Sequence, residues 1–146
     1  MTATRVLNTV KTIGVSLLAA AALLSVPVQA HHSTSAFDTT KVVRIEGVIK
    51  QFRWINPHAS IKIEGDVSEG PDGVWTIEMT APNSLLLSGW KRTTLKEGDK
   101  VVMFANPLKN AITLNDGSQG AIYIGVILPD GSTLGQTDGK GAGSAN

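Results

Sequence analysis

Two stretches of the chain alternate apolar and polar side chains with a period of two residues, and they constrain the fold more than any other feature. Their apolar members are Ala59, Ile61 and Ile63 in the first stretch and Trp75, Ile77 and Met79 in the second. This period is typical of strands with one buried face, because successive side chains of a strand point to opposite sides. Polar and glycine residues at 65–73 separate the two stretches. The pattern therefore predicts a β-hairpin that covers one side of a core.

Further elements flank this hairpin on both sides. A long strand rich in Val, Ile and aromatic residues precedes it, with Gly47 as a bulge or bend. Pro82 opens a short helix, which ends before Gly89. The predicted strands are Lys41 to Trp54, the two alternating stretches, Lys100 to Asn106, and Ala121 to Leu128. Three strands, a short helix and two more strands is the order of an OB-type barrel. We therefore predict an all-β fold, a small five-stranded OB-like barrel with one short helix between strands 3 and 4.

Residues 1–30 have the three parts of a secretory signal peptide. Arg5 and Lys11 are basic, an apolar run extends from Ile13 to Val26, and Val28 and Ala30 are the small residues before a cut. The run is shorter than the roughly 20 residues of a membrane-spanning helix, which favours cleavage after Ala30 over an uncleaved anchor. We therefore expect a periplasmic protein with no membrane span after cleavage.

The mature chain divides into a barrel domain at 31–128 and a glycine-rich tail at 129–146. Residues 31–40 are small and polar apart from Ala36 and Phe37, which predicts an extended arm pinned to the barrel by Phe37. The tail contains too few apolar residues to build a core, so we expect it to be disordered.

Composition excludes several function classes. Removing Arg5 and Lys11 from the 13 basic residues leaves 11 against 12 acidic ones, and a near-neutral chain is a poor nucleic-acid binder. The chain has no cysteine, so it can form neither a disulfide nor a thiolate metal site. Serine-nucleophile and phosphate-loop motifs are also missing. These observations favour a non-enzymatic role and leave the question of catalysis open.

The three histidines suggest a metal site. Cleavage after Ala30 makes His31 the first residue, so its α-amino group and imidazole can chelate one ion. His32 offers a competing chelate, and His58 could complete a set of nitrogen ligands, which favours copper. An arm of ten residues can span up to roughly 33 Å, enough to bring these groups together. The alternative is that the two terminal histidines are merely a polar start and that His58 hydrogen-bonds within its turn.

The predicted metal site suggests a copper-binding carrier or accessory factor, and three other interpretations compete with this role. A copper oxidoreductase would use the same site with an open coordination position. A soft copper(I) site could use Trp75, Met79 and Met103, although such residues are more often core. A metal-free adaptor could contact a periplasmic protein, a glycan or another small ligand through its barrel face, with Trp54 and Asn56 on the surface.

The chain also resembles a family of small exported bacterial proteins that is carried as a domain of unknown function. The resemblance rests on the segments His31-His32-Ser33, Phe37-Asp38, Glu46-Gly47-Val48, Trp54 to Ala59, Pro82-Asn83 with Gly89-Trp90, and Leu95 to Val101. It extends from about His31 to Gly131. It implies an exported single domain and brings no known activity.

Overall fold

The structure is a computed structural model that describes residues 34–139. The predicted signal peptide, His31 and His32 lie outside the described residues. The elements are β1 (Val43–Arg53), β2 (Ser60–Ser68), β3 (Gly73–Glu78), α1 (Pro82–Leu87), β4 (Lys100–Pro107), β5 (Gln119–Ile127) and β6 (Thr133–Gly135), with short 3₁₀ turns at Thr34–Ala36 and Lys109–Ala111. No helix among these residues is long and apolar enough to cross a membrane.

The first five strands form a closed barrel. Their order in the sheet is β3-β2-β1-β4-β5, and a parallel pairing of β3 with β5 closes it. All other neighbours in this ring are antiparallel. This is the strand arrangement of an OB-type barrel, with α1 between β3 and β4. The fold predicted from the sequence is confirmed.

The core is built from the residues that the alternation predicts. Every apolar member of the two alternating stretches is at most 3% exposed. From the other strands they are joined by Ile45, Ile49, Met103 and Val126, each 0% exposed. Regular alternation buries one face of each strand, and closing the sheet turns these faces toward one another.

Two glycines allow β1 and β2 to approach closely. Gly47 lies opposite Gly65 in the ladder. A Cβ added at Gly65 would lie 2.1 Å from the Glu46 carbonyl oxygen, and one added at Gly47 would lie 2.4 Å from the Glu64 carbonyl oxygen. The register shift of β1 falls slightly later, between Ile49 and Gln51. Gly47 therefore permits close backbone packing, while the bulge itself is three residues away from the predicted position.

The barrel has two distinct ends, which β3 connects. The β2–β3 hairpin turn precedes β3, and the connection from β4 to β5 lies at this same hairpin end because β5 runs parallel to β3. Helix α1 follows β3 at the α1 end. The β1–β2 connection also lies there, since Ser60 at the start of β2 is opposite Glu78.

The prediction of a disordered tail is wrong for Thr133–Gly135, which form β6. This strand pairs with Gly125, Val126 and Ile127 of β5. Leu134 packs against the core, and its carbonyl oxygen accepts a 2.7 Å hydrogen bond from the Tyr123 hydroxyl. Since β3 pairs with β5 only as far as Ile122, it leaves the later part of that edge open for β6. One leucine and a free strand edge are sufficient to order this short segment.

Candidate functional site

His58 lies at the α1 end, just before β2, on the outside of the barrel. The turn before it contains the Asn56–Pro57 bond, which is cis. The next residue, Ala59, is fully buried and exchanges backbone hydrogen bonds with the segment after β3. Because neighbouring extended residues point to opposite faces, burying Ala59 directs His58 outward. Its side chain is 35% exposed.

Glu78 is a charged partner of His58. Its carboxylate Oε1 lies 2.7 Å from the His58 Nδ1 atom. Glu78 is the last residue of β3, and its neighbours Ile77 and Met79 are buried, so the carboxylate also faces outward. A carboxylate only accepts hydrogen bonds, which makes the imidazole Nδ1 the donor. Histidine ligands of metal ions commonly donate their second ring N–H to a carboxylate in this way, with Nε2 as the ligating atom.

The arm is tethered to the barrel at Phe37 and Asp38. Phe37 is 8% exposed and forms an isolated antiparallel β-bridge with Leu108. The backbone N–H of Asp38 donates to the Pro107 carbonyl oxygen. Anchoring by Phe37 is thus confirmed, but the prediction of an extended arm is wrong at Thr34–Ala36, where a 3₁₀ turn forms.

This tether limits the reach of the terminal histidines. Two residues, His32 and Ser33, separate Thr34 from His31, and the three steps along the chain extend at most about 11 Å. Phe37 lies before the start of β1, whereas His58 follows its end. Within residues 34–139, no three His, Asp or Glu side chains are arranged to hold a metal ion. At this position the described residues contribute one histidine–carboxylate pair.

The residues of the alternative copper(I) site belong to the core. Trp75 is 3% exposed, Met79 2% and Met103 0%. All three pack in the hydrophobic core, and the Trp75 indole N–H donates to the Pro71 carbonyl oxygen. The structure thus gives these side chains a packing role.

Trp54 also lies inside the barrel rather than on a stacking surface. It is 9% exposed, and its ring contacts Phe52 edge-on at a centroid distance of 5.6 Å. Phe52 in turn lies 5.8 Å from Trp90, which contacts Tyr123 at 5.3 Å. These four rings form an aromatic cluster at the α1 end. A platform of exposed tryptophans is therefore not present, while Asn56, the other predicted surface residue, is exposed.

Sequence reasoning missed two features of this end. The first is Glu78 as the partner of His58, although the strand alternation already points Glu78 outward. The second is a group of exposed apolar side chains, Ile55, Leu86 and Leu87. The three consecutive leucines of α1 could have revealed this exposed group. So short a helix buries only one of the three, so the other two face solvent.

Comparison with known proteins places the chain in a family. A model described as a family of unknown function (DUF6152) matches residues 19–116. The chain belongs to this family. The DUF6152 match includes β1 to β4, α1, and both His58 and Glu78, and it confirms the resemblance seen in the sequence. No curated protein and no solved structure matches the chain significantly.

Proposed function

We propose that this protein is an exported, periplasmic metal-binding domain that holds copper and acts as a carrier or accessory factor. The proposed ligands are the α-amino group and imidazole of His31, with His58 and His32. The single observation that carries the proposal is the 2.7 Å contact between His58 Nδ1 and Glu78 Oε1. Such a contact fixes the orientation of the imidazole ring, as it does for histidines that bind metals.

The chemistry of the ligands favours copper(II). An amino-terminal group with a pKa near 8 loses its proton to a metal ion at neutral pH. Imidazole and amine nitrogen atoms bind copper(II) more tightly than they bind the other common divalent ions. The chain has no cysteine, so a thiolate site for zinc or copper(I) is excluded.

The tether at Phe37 limits where the amino-terminal ligands can lie. With at most about 11 Å of chain between Thr34 and His31, the amino-terminal chelate and His58 share one ion only if the arm turns toward the α1 end. Two versions of the site follow. In one, His58 is a ligand of the same ion; in the other, the amino terminus binds copper alone.

The experiment measures copper(II) on protein purified from the periplasm. Intact mass defines the first residue, and a competition titration measures the affinity. The proposal expects a chain that begins at His31 and retains one copper. Weaker binding in His58→Ala selects the version in which His58 is a ligand, and unchanged binding selects the version in which the amino terminus binds copper alone. Asn56→Ala, in the same exposed turn, is the matched control and should bind like the wild type. A chain that begins at His31 and retains no copper would contradict the proposal.

A second candidate is a metal-free module that contacts a periplasmic protein or a glycan. The observation that favours it is the exposure of Ile55, 45%, beside the exposed Asn56 at the α1 end. Under this function, His58→Ala would leave partner capture intact, while the double variant Ile55→Ser/Asn56→Ala would abolish it. Trp54→Ala is uninformative here because Trp54 is buried and its loss affects the fold.

A further inference from the structure

Helix α1 presents leucine side chains to solvent at the tip of the barrel. Leu87 is 92% exposed and Leu86 is 54% exposed, while Leu85 is buried at 2%. The helix ends immediately afterwards: the Trp90 N–H donates to the Leu85 carbonyl oxygen, and Gly89 has a φ of +87°. Packing Leu85 and Trp90 into the barrel therefore leaves the two following leucines outside.

Ile55 is a further exposed apolar side chain at the same end of the barrel. It is 45% exposed and directly follows Trp54. Trp54 is connected through Phe52 to Trp90, by ring contacts of 5.6 and 5.8 Å. The aromatic cluster thus connects the residue before Ile55 with Trp90, which follows α1 in the chain. We call Ile55, Leu86 and Leu87 the apolar tip.

Basic side chains flank the apolar tip. Arg53, Lys91 and Arg92 are exposed, and none of the ion pairs formed within residues 34–139 includes them. The segment Pro82–Leu87 itself carries no charge.

Most acidic groups at this end already have partners. Glu78 contacts His58, Asp99 pairs with Lys96, and the Asp130 carboxylate accepts hydrogen bonds from Ser132. Glu97 is the exposed carboxylate that remains close to the basic group along the chain.

The hairpin end carries three exposed acidic residues that belong to none of the ion pairs formed within residues 34–139. Asp66, Glu69 and Asp72 lie in or beside the β2–β3 turn. Because β3 separates the two ends, an anionic surface would attract the α1 end and repel the hairpin end. The charge distribution therefore favours one orientation on such a surface.

We propose that the α1 end docks reversibly on an anionic lipid surface, with the apolar tip inserted among the headgroups and Arg53, Lys91 and Arg92 contacting their phosphates. Basic residues beside exposed apolar side chains are the combination that binds membrane interfaces. Three apolar side chains are few for a stable protein interface, which buries about 800 Å² on each partner. The inference does not depend on metal binding.

The test is sedimentation with vesicles, using protein purified from the periplasm and checked by intact mass. The vesicles contain phosphatidylcholine either alone or with a fraction of phosphatidylglycerol. We expect binding to the anionic vesicles that falls as salt increases, and little binding to the neutral ones. Lys91→Gln and Arg92→Gln should each weaken binding about fivefold. Leu86→Ser/Leu87→Ser should weaken it as well, at unchanged circular dichroism.

The matched controls lie at the hairpin end. Ile112 is 52% exposed and Lys109 is an exposed cation, both in the connection between β4 and β5. Ile112→Ser and Lys109→Gln should bind vesicles like the wild type. Equal losses in these controls, or no binding to anionic vesicles, would overturn the proposal. A dimer in sedimentation velocity that Leu86→Ser/Leu87→Ser dissociates, without any vesicle binding, would instead assign the tip to a contact between copies.

Discussion

The Nδ1 atom of His58 lies 2.7 Å from Oε1 of Glu78, which joins the start of β2 to the end of β3 on the outside of the barrel. Ser60, the first residue of β2, is directly opposite Glu78 in the ladder. His58 therefore contacts Glu78 from two residues before the first paired position of β2. This relationship makes Glu78 a positioning residue for His58 in the proposed metal site.

Replacing Glu78 by Gln should weaken copper binding while the barrel stays folded. The amide is a weaker acceptor than the carboxylate, so the imidazole is less well oriented. Losing such a partner costs about 10- to 100-fold in metal affinity. A competition titration measures the affinity, and Glu64→Gln, which removes a carboxylate paired with Lys50, is the control. Equal affinities in both variants would remove Glu78 from the site.

The only tyrosine of the chain should titrate at unusually high pH. Burial raises the pKa of Tyr123 from 10.0 to about 12, and a hydrogen bond with Trp90 opposes this rise. The folded state therefore holds the phenolic proton more tightly than the unfolded state. Stability is fully present below pH 10.0 and falls as the pH rises through about 12.

Tyrosinate absorbance during a pH titration, followed up to the onset of unfolding, measures this pKa. Urea unfolding at successive alkaline pH values measures the loss of stability. Tyr123→Phe should show a flatter alkaline profile, although it also loses the hydrogen bond to the Leu134 carbonyl oxygen. A tyrosine that ionises near pH 10.0 in the folded protein would contradict the burial of Tyr123.

Two leucines of α1 should respond very differently to truncation. Leu85→Ala removes a side chain that is 2% exposed and should reduce the free energy of unfolding by about 2–5 kcal/mol. Leu87→Ala removes one that is 92% exposed and should change it by less than about 0.5 kcal/mol. Urea unfolding of both variants makes the comparison. Similar losses would mean that α1 packs in another orientation.

Gly65→Ala should destabilise the barrel where β1 and β2 pair closely, at Gly47 and Gly65. The new methyl group would lie 2.1 Å from the Glu46 carbonyl oxygen and 2.5 Å from the Gly47 Cα atom, both of them backbone atoms. Overpacking of this kind costs about 1–3 kcal/mol or more. Ser60→Ala, on the same strand, is the control for thermal or urea unfolding. A Gly65→Ala protein as stable as the wild type would show that the two strands can separate there at little cost.

Ending the chain after Asp130 should destabilise the barrel, because it removes β6. The edge of β5 loses its backbone partners, and the core loses contact with Leu134. We expect the free energy of unfolding to fall by about 2–4 kcal/mol. Gln136→Ala changes only an exposed side chain of the same segment and should have a small effect. An unchanged stability of the shortened chain would assign β6 no part in the fold.

Local sequence patterns were sufficient for the barrel itself. The alternation at Ala59–Ile63 and Trp75–Met79 depends only on neighbouring residues, and it correctly identified which side chains are buried. The order of the strands and the helix is also visible along the sequence. Because only a few arrangements of such elements close a sheet, this order was sufficient to predict the barrel.

The candidate site could be predicted only in part. An exposed His58 after a turn is readable from the sequence, but its contact with Glu78 requires the register of β2 against β3. Trp54 stands at the end of a strand, where either exposure or burial fits the pattern. Its place among Phe52, Trp90 and Tyr123 depends on residues that are distant in the chain.

The sequence by itself determined the all-β barrel, its helix and its core, because these follow from the period of apolar residues along each element. Only the tertiary structure decided that Leu134 is ordered, that Phe37 ties the arm beside Leu108, and that Leu87 is left outside. Each of these outcomes depends on a surface that exists only after the sheet has closed: the open edge of β5, the end of β4, and the limited space beneath α1. A pattern within one segment carries no information about such a surface.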